Sequence, residues 1–348
     1  MIEEIVRETL KKVPYPGFSR DIVSFGIVRS VEVEGNSVTV RLALTTADES
    51  IPAKLREACE KALKDIPEVG DVRIDVVAGK PSSANAQDEK APFMPHVKTI
   101  VAVASGKGGV GKSTVAVNLA CAINAVIGPK GGKVGILDCD IYGPSVPLML
   151  GASNRPQILN EKIIPEEARG MKIMSMGLLL DDDSPVVWRG PMVNSAITQF
   201  MRDVEWGALD VLVVDLPPGT GDAQLALVQN IPVTGAVIVT TPQTAAVNVA
   251  RRGAKMFAKV NVPILGVIEN MSYLKMPDGT KSFIFGEGGG REVADALDSN
   301  VIAEVPIDQG IRKGCDDGLP SFISDPESES SSQFAAAAKS ILDTINRI

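Results

Sequence analysis

Nine consecutive residues, Gly106-Lys107-Gly108-Gly109-Val110-Gly111-Lys112-Ser113-Thr114, place four glycines and two lysines beside a serine hydroxyl. Glycines let successive backbone N–H groups turn inward around phosphate oxygens, and a helix starting at the end of the turn adds partial positive charge. In this spacing Lys112 pairs with the β- and γ-phosphates, and Ser113 offers its hydroxyl to Mg²⁺. The chemistry expected is binding of ATP with Mg²⁺. A second lysine at position 107 would repel the first unless strong negative charge lies beside both. Two acidic segments supply further groups: Asp138-Cys139-Asp140, and Asp215 ahead of Leu-Pro-Pro-Gly-Thr-Gly-Asp222. A pair of carboxylates facing a triphosphate can organise Mg²⁺ and the attacking water.

Such groups need a scaffold that delivers them to one edge. The apolar run Thr99–Ala104 precedes the glycine turn, and Val115, Leu119, Ile123 and Val126 follow it at near-helical spacing. Further strand-like runs are Lys133–Leu137, Val211–Val214, Ala236–Thr240, Ile264–Ile268 and Val301–Val305, mostly separated by helical stretches. This alternation predicts an α/β domain, a parallel sheet covered on both faces, with ligands beyond the carboxyl ends of its strands. Asp138 and Asp140 follow one run and Asp215 ends another, the position of an acidic residue holding the metal's water shell. Asp140 is expected to orient the water, with Asp138 as the alternative, and Ser113 and Asp215 to hold the metal. Lys112→Ala is expected to abolish hydrolysis without disturbing the sheet.

Residues 1–80 read as a small α+β domain: a helical stretch, strands at Ile22–Val33 and Val38–Leu44, a helix opened near Pro52, and a strand at Val72–Val77. Residues 81–97, rich in Pro, Ser and Ala, read as a flexible linker, which leaves 98–348 for the nucleotide-binding domain. A chain of 348 residues has room for both. A net charge of −8 gives no basic footprint for nucleic acid. No apolar run reaches the ~20 residues of a membrane span, and the acidic start Met1-Ile-Glu-Glu lacks the features of a signal peptide; the expected location is cytoplasmic. The single histidine, His96, excludes a histidine-based metal site or triad within one chain. Cys59, Cys121, Cys139 and Cys315 are scattered, with no Cys-x-x-Cys pair and no disulfide framework.

The loop with its additional Lys107 resembles the deviant phosphate loop of the MinD/ParA/nitrogenase-iron-protein class. Together with Leu137-Asp-Cys-Asp-Ile-Tyr-Gly-Pro-Ser145, Asp215–Asp222 and Glu269-Asn-Met-Ser-Tyr273, it resembles the Mrp/ApbC family of iron–sulfur cluster carrier ATPases. Tyr15-Pro-Gly-Phe and Asp21-Ile-Val-Ser-Phe-Gly-Ile-Val resemble the small domain of MIP18-type assembly factors, here with no cysteine in the loop Thr45–Ile51. The resemblance implies a homodimer in which Lys107 stabilises charge in the partner's site, and apoprotein recipients of a [4Fe–4S] cluster. It also implies that Asn270 reads the base, with Pro306 and Asp308 in the same relation to the last strand. The alternatives within the class are a nucleotide-switched regulator of the MinD/ParA kind and an ATP-dependent scaffold that has lost its cluster.

One departure bears on the cargo. Many members carry Cys-x-x-Cys soon after the Asn-Met-Ser segment, whereas Tyr273–Lys281 has no cysteine here. Thiolates are the usual ligands of iron–sulfur clusters. Cys59 and Cys121 read as core, and Cys139 lies between two carboxylates that disfavour a thiolate. Cys315, with basic Arg312 and Lys313 nearby and a loop-like setting, is the best single candidate. One such thiolate per chain predicts weak cluster binding by the isolated protein, with ligands shared from outside.

Overall fold

Val38, Val40 and Leu42 alternate along a strand and are all fully buried, the pattern of a sheet with one covered face. The computed structural model describes residues 2–11, 13, 22–23, 27–34, 36–44, 51–64, 66, 69–78, 94, 96–140, 143–159, 162–179, 190–219 and 222–347. They fall into two units, Met1–Glu89 and Lys90–Ile348.

The first unit runs α1 (Ile2–Leu10), β1 (Val28–Glu34), β2 (Ser37–Leu44), α2 (Ile51–Lys64) and β3 (Asp71–Ala78). β2 is central, antiparallel to β1 and parallel to β3. Val6 and Leu10 of α1, with Leu55, Cys59 and Leu63 of α2, pack on the covered face of the sheet. The strand expected from Ile22 begins only at Val28. Ile22 is buried in the core, yet it sits in a turn, donating its N–H to Val13 O and accepting from Ile27 N. Its apolarity reflects burial rather than extended backbone. The loop 45–50 falls outside the described residues, as does the expected linker 81–97 except for Met94, His96 and Val97.

In the second unit β4 (Val97–Ser105) leads to α3 (Lys112–Ile127), then β5 (Val134–Asp138) and α4 (Val146–Leu150). A short hairpin, β6 (Gln157–Leu159) and β7 (Lys162–Ile164), precedes a second, β8 (Glu166–Ala168) and β9 (Met171–Ser175). Next come α5 (Gly190–Asp203), β10 (Leu209–Asp215), α6 (Asp222–Asn230), β11 (Gly235–Thr240), α7 (Thr244–Lys259) and β12 (Ile264–Glu269). The chain ends with the hairpin β13 (Leu274–Lys275) and β14 (Lys281–Ser282), α8 (Gly289–Asp295), β15 (Val301–Glu304), α9 (Gln309–Asp316), α10 (Ser321–Ser324) and α11 (Glu329–Ile345).

Eight strands form one sheet in the order β15-β12-β11-β4-β10-β5-β9-β8, parallel throughout except for β8 against β9. The central strands are apolar on both faces because a separate core lies against each. Six of the strands coincide with the apolar runs of the sequence. β9 and β8 do not, and the sequence reading missed them. They are joined by a tight turn in which Arg169 and Gly170 take positive φ, and Glu166 and Glu167 make the outermost strand polar. A short charged edge strand resists pairing with another chain and leaves little periodic signal. Among the described residues no helix is long and apolar enough to cross a membrane.

Candidate nucleotide site

β4 is the middle of the sheet, and the glycine turn leaves its carboxyl end. Two close approaches fix that turn. A Cβ on Gly106 would lie 2.4 Å from the backbone nitrogen of Ala250 in α7, and one on Gly111 would lie 2.2 Å from the Asn270 side-chain nitrogen. Gly111 also takes φ +78°, which an L side chain adopts only with strain. Between them Val110 is buried as an apolar anchor, and its carbonyl accepts a 2.9 Å hydrogen bond from Asn270 Nδ2. Asn270 therefore holds the backbone of the loop. The α3 helix starts at Lys112, its ladder opening with Val115 N–H to Gly111 O at 2.9 Å.

Beneath this loop Lys112 Nζ donates to Asp215 Oδ1, a buried ion pair in which the lysine is 6% and the aspartate 0% exposed. Ser113 joins them: its hydroxyl lies 3.4 Å from Lys112 Nζ and close enough to the Asp215 carboxylate to lower its pKa. Burial pushes the Asp215 carboxyl above its usual range, and the lysine pulls it back. Asp215 Oδ2, also buried, has no hydrogen-bond partner. A buried carboxylate oxygen without a donor costs about 1–3 kcal/mol and is the kind of atom a hydrated cation satisfies. The hydroxyl of Ser113 and this oxygen stand beside a lysine available for phosphate, a donor set that fits Mg²⁺ with oxygen ligands.

Asp138 pairs in register with Asp215 across β5 and β10. Both oxygens of Asp138, the alternative expected to orient the water, are held by the fold. Oδ1 accepts from Asp140 N at 3.0 Å; Oδ2 accepts from Ser145 N at 3.2 Å, Val146 N at 3.3 Å and Ser175 Oγ at 3.2 Å. It brackets the loop after β5 to the start of α4 and the end of β9. Burial, and then the charge of Asp215, push its carboxyl up to about 7. Asp140, which it positions, is half-buried and close enough for its charge to raise the Asp215 carboxyl.

Lys107 is half-buried, its Nζ 3.4 Å from Gln243 Oε1 at the N-terminus of α7. Sequence reading missed Gln243 as its partner, although a polar side chain just past the end of β11 was the available signal. The loop after β10 is stitched to β4 by Leu216 N to Val103 O at 3.0 Å and Gly219 N to Ser105 O at 3.2 Å. Pro306 is buried after β15, and Asp308 caps α9 by accepting from Gly310 N at 2.7 Å and from Ser330 Oγ at 2.8 Å. Both carboxylate oxygens of Asp308 are thus engaged within the fold.

One cysteine, Cys139, borders this site, its N–H donating to Asp215 O at 2.9 Å. Cys315, expected in a loop, is on α9, 7% exposed, within the apolar cluster that also holds Cys121. Burial raises its pKa, and the side chain of Thr114, in the first turn of α3, pulls it back. The loop setting expected for Cys315 is corrected to a helix whose inner side carries the thiol. Burial also pushes Cys59 and Cys121 up to about 12 and Cys139 well above its usual range. Among the described residues no group of three or more His, Cys, Asp or Glu side chains could hold a metal ion by themselves.

Comparison with known proteins matches residues 96–342 to a family described as NUBPL iron-transfer P-loop NTPase, and residues 3–76 to one described as iron–sulfur cluster assembly protein. An iron–sulfur cluster carrier protein of Synechocystis sp. is 44% identical, covering 99% of this chain and 98% of its own. An Arabidopsis thaliana mitochondrial iron–sulfur protein required for NADH dehydrogenase is 48% identical over 78% of this chain and 87% of its own. Among solved structures, an Archaeoglobus fulgidus nucleotide-binding protein in complex with ADP aligns with a TM-score of 0.59 and 36% identity, over 70% of this chain and 94% of that one. The Pyrococcus furiosus cell division ATPase MinD shares the fold, with a TM-score of 0.53 at 20% identity over 71% of this chain and 99% of that one.

Proposed function

The chain belongs to the iron-transfer P-loop NTPase family of iron–sulfur cluster carrier proteins, and from that premise we propose that it is a cytoplasmic ATPase, active as a homodimer, that delivers iron–sulfur clusters to recipient apoproteins. The triangle of Lys112, Ser113 and Asp215, with its orphaned carboxylate oxygen, carries the nucleotide part of this reading. The N–H groups of residues 106–114 cradle the phosphates. Lys112 leaves Asp215 for the β- and γ-phosphates, and Ser113 and Asp215 hold Mg²⁺ directly or through water. The metal, when bound, neutralises charge developing on the transferred phosphoryl group. Asp140 orients the attacking water, aimed by Asp138. Lys107 exchanges Gln243 for the nucleotide of the partner subunit. Asn270, through the loop it braces, and Pro306 and Asp308 flank the base.

The proposed division is a small domain at 1–80, a linker at 81–97 and the ATPase at 98–348. With its four thiols buried, the carrier is read as binding its cluster weakly, with ligands shared from glutathione or a partner. Two measurements test the reading. Phosphate release from Mg·ATP by the full chain is expected, and its absence sinks the ATPase. Anaerobic reconstitution with iron and sulfide is expected to give a labile chromophore that needs added thiol. A stable cluster formed without thiol would show that the ligands lie in this chain after all.

A further inference from the structure

Between Asp222 and Glu269 the sequence has no acidic residue, although 43 of its 348 residues are Asp or Glu. The cations of this stretch, Arg251, Arg252, Lys255 and Lys259, all fall on α7. Other helices balance their charges: α2 and α11 carry both signs, and α9 pairs Arg312 with Asp316 at 2.6 Å. On its inner side α7 is anchored by Ala246, Val247, Ala250, Met256 and Phe257, buried in the cores against the sheet. Its outer side shows Thr244, Ala245, Asn248, Arg251, Arg252 and Ala258, and no large apolar side chain. Among the described residues the side chains of Arg251 and Arg252 have no ion pair and no hydrogen bond.

Two exposed guanidinium groups without a counter-charge, among small uncharged neighbours, make a positive face on a chain of net charge −8. Arginine is enriched at protein–protein interfaces, and Asp and Glu are depleted there, as they are on this face. Its complement is a protein surface dense in carboxylates, which the guanidinium fork grips with two hydrogen bonds at once. Nucleic acid is the poorer match, because its evenly spaced phosphates would run off this one helix onto a chain of net negative charge. The face also borders the nucleotide site. Gly106 abuts the backbone of Val249 and Ala250, one residue before Arg251, and Gln243 at the start of α7 lies 3.4 Å from Lys107 Nζ.

We propose that the outer side of α7 is the docking surface for the acidic apoprotein that receives the cluster, held by Arg251 and Arg252. This rests on the carrier reading above and names the chemistry of its partner. Charges on such a face govern the rate of encounter and the choice of partner, and salt screens them.

The probe is a dye-labelled acidic apoferredoxin, titrated with the full-length protein and followed by fluorescence anisotropy. The unaltered chain should bind it, with Kd rising as salt is added. Arg251→Glu combined with Arg252→Glu should raise Kd roughly tenfold or more, while Tm and phosphate release without the partner stay unchanged. Arg251→Lys combined with Arg252→Lys keeps the charge and should retain most of the affinity. No binding by the unaltered chain overturns the proposal, as does equal binding by the charge-reversed variant. Tighter binding of a DNA duplex of matching charge also overturns it, in favour of nucleic acid. So does loss of the dimer on charge reversal, in favour of a second copy of this chain. Cluster transfer to the apoferredoxin after thiol-dependent reconstitution separates this inference from the carrier reading. Arginine-dependent binding without transfer sinks the carrier reading and leaves the surface. Equal transfer from the unaltered chain and the charge-reversed variant leaves the carrier reading and sinks the surface.

Discussion

At the carboxyl ends of β4, β5 and β10, buried polar groups meet one another: Lys112 with Asp215, Asp138 with three backbone N–H groups and a serine hydroxyl. At Cys59, Cys121 and Cys315, buried sulfur sits in apolar clusters. Both regions are buried, but burial has opposite consequences. At the loop it concentrates charge that only a charged ligand can relieve, with Asp215 Oδ2 left over. At the thiols it suppresses ionisation and with it metal affinity. One region is prepared for a ligand, and the other is core.

The largest expected effect tests the prepared region. Lys112→Ala should reduce ATP turnover to background and also destabilise the nucleotide-free protein. Removing one partner of a buried pair costs about 3–5 kcal/mol, here eased by protonation of Asp215, whose carboxyl is already raised. Adding Asp215→Asn to Lys112→Ala should restore much of the lost Tm but none of the activity. Equal melting of Lys112→Ala and the parent would break the claim that charge is concentrated there.

Lys107→Ala should lower turnover by about 10³–10⁵-fold while nucleotide still binds, the loss typical of a cation supplied in trans. Mixed with inactive Asp140→Ala chains, it should recover activity through dimers that hold one complete site. No recovery despite demonstrated subunit exchange counts against the arrangement.

Asp138→Asn should fold, since the amide still accepts from part of the donor set. It should lose about 1–3 kcal/mol of stability where a donor is left unpaired and roughly tenfold or more in kcat through a misaimed Asp140. A kcat loss in Asp138→Asn as deep as that in Asp140→Ala would restore Asp138 to the chemistry. The smallest effect belongs to the thiols. Cys315→Ser should leave thiol-dependent cluster reconstitution unchanged, measured by absorbance. A clear loss of chromophore would erase the contrast between the two regions.

How legible each region was follows from what it is made of. The phosphate loop acts through backbone, so its glycines and the apolar strand before it announce the site directly. Asp215 ended one apolar run and Asp140 followed another closely, so both could be read for the same reason. The division of labour between Asp138 and Asp140 could not, because it depends on Ser175, 37 residues away, reaching the carboxylate from β9. Gln243 stayed silent because a glutamine carries no periodic signal and acquires meaning only from the segment it faces. Cys315 was misread because neighbouring lysine and arginine suggested a loop, while its own side of α9 turns inward beside Ile311 and Gly314.

The Lys112–Asp215 pair has a further consequence for how the site fills. A nucleotide that takes the lysine leaves the aspartate without a cation, and a divalent ion that takes the aspartate leaves the lysine without an anion. Either arriving alone exchanges one buried ion pair for another and strands a charge; arriving together, they exchange one pair for two. Nucleotide and metal must then raise each other's affinity by the same factor, since such coupling is reciprocal. Half-loaded forms become the rarest species, and the protein passes between empty and fully charged with little in between.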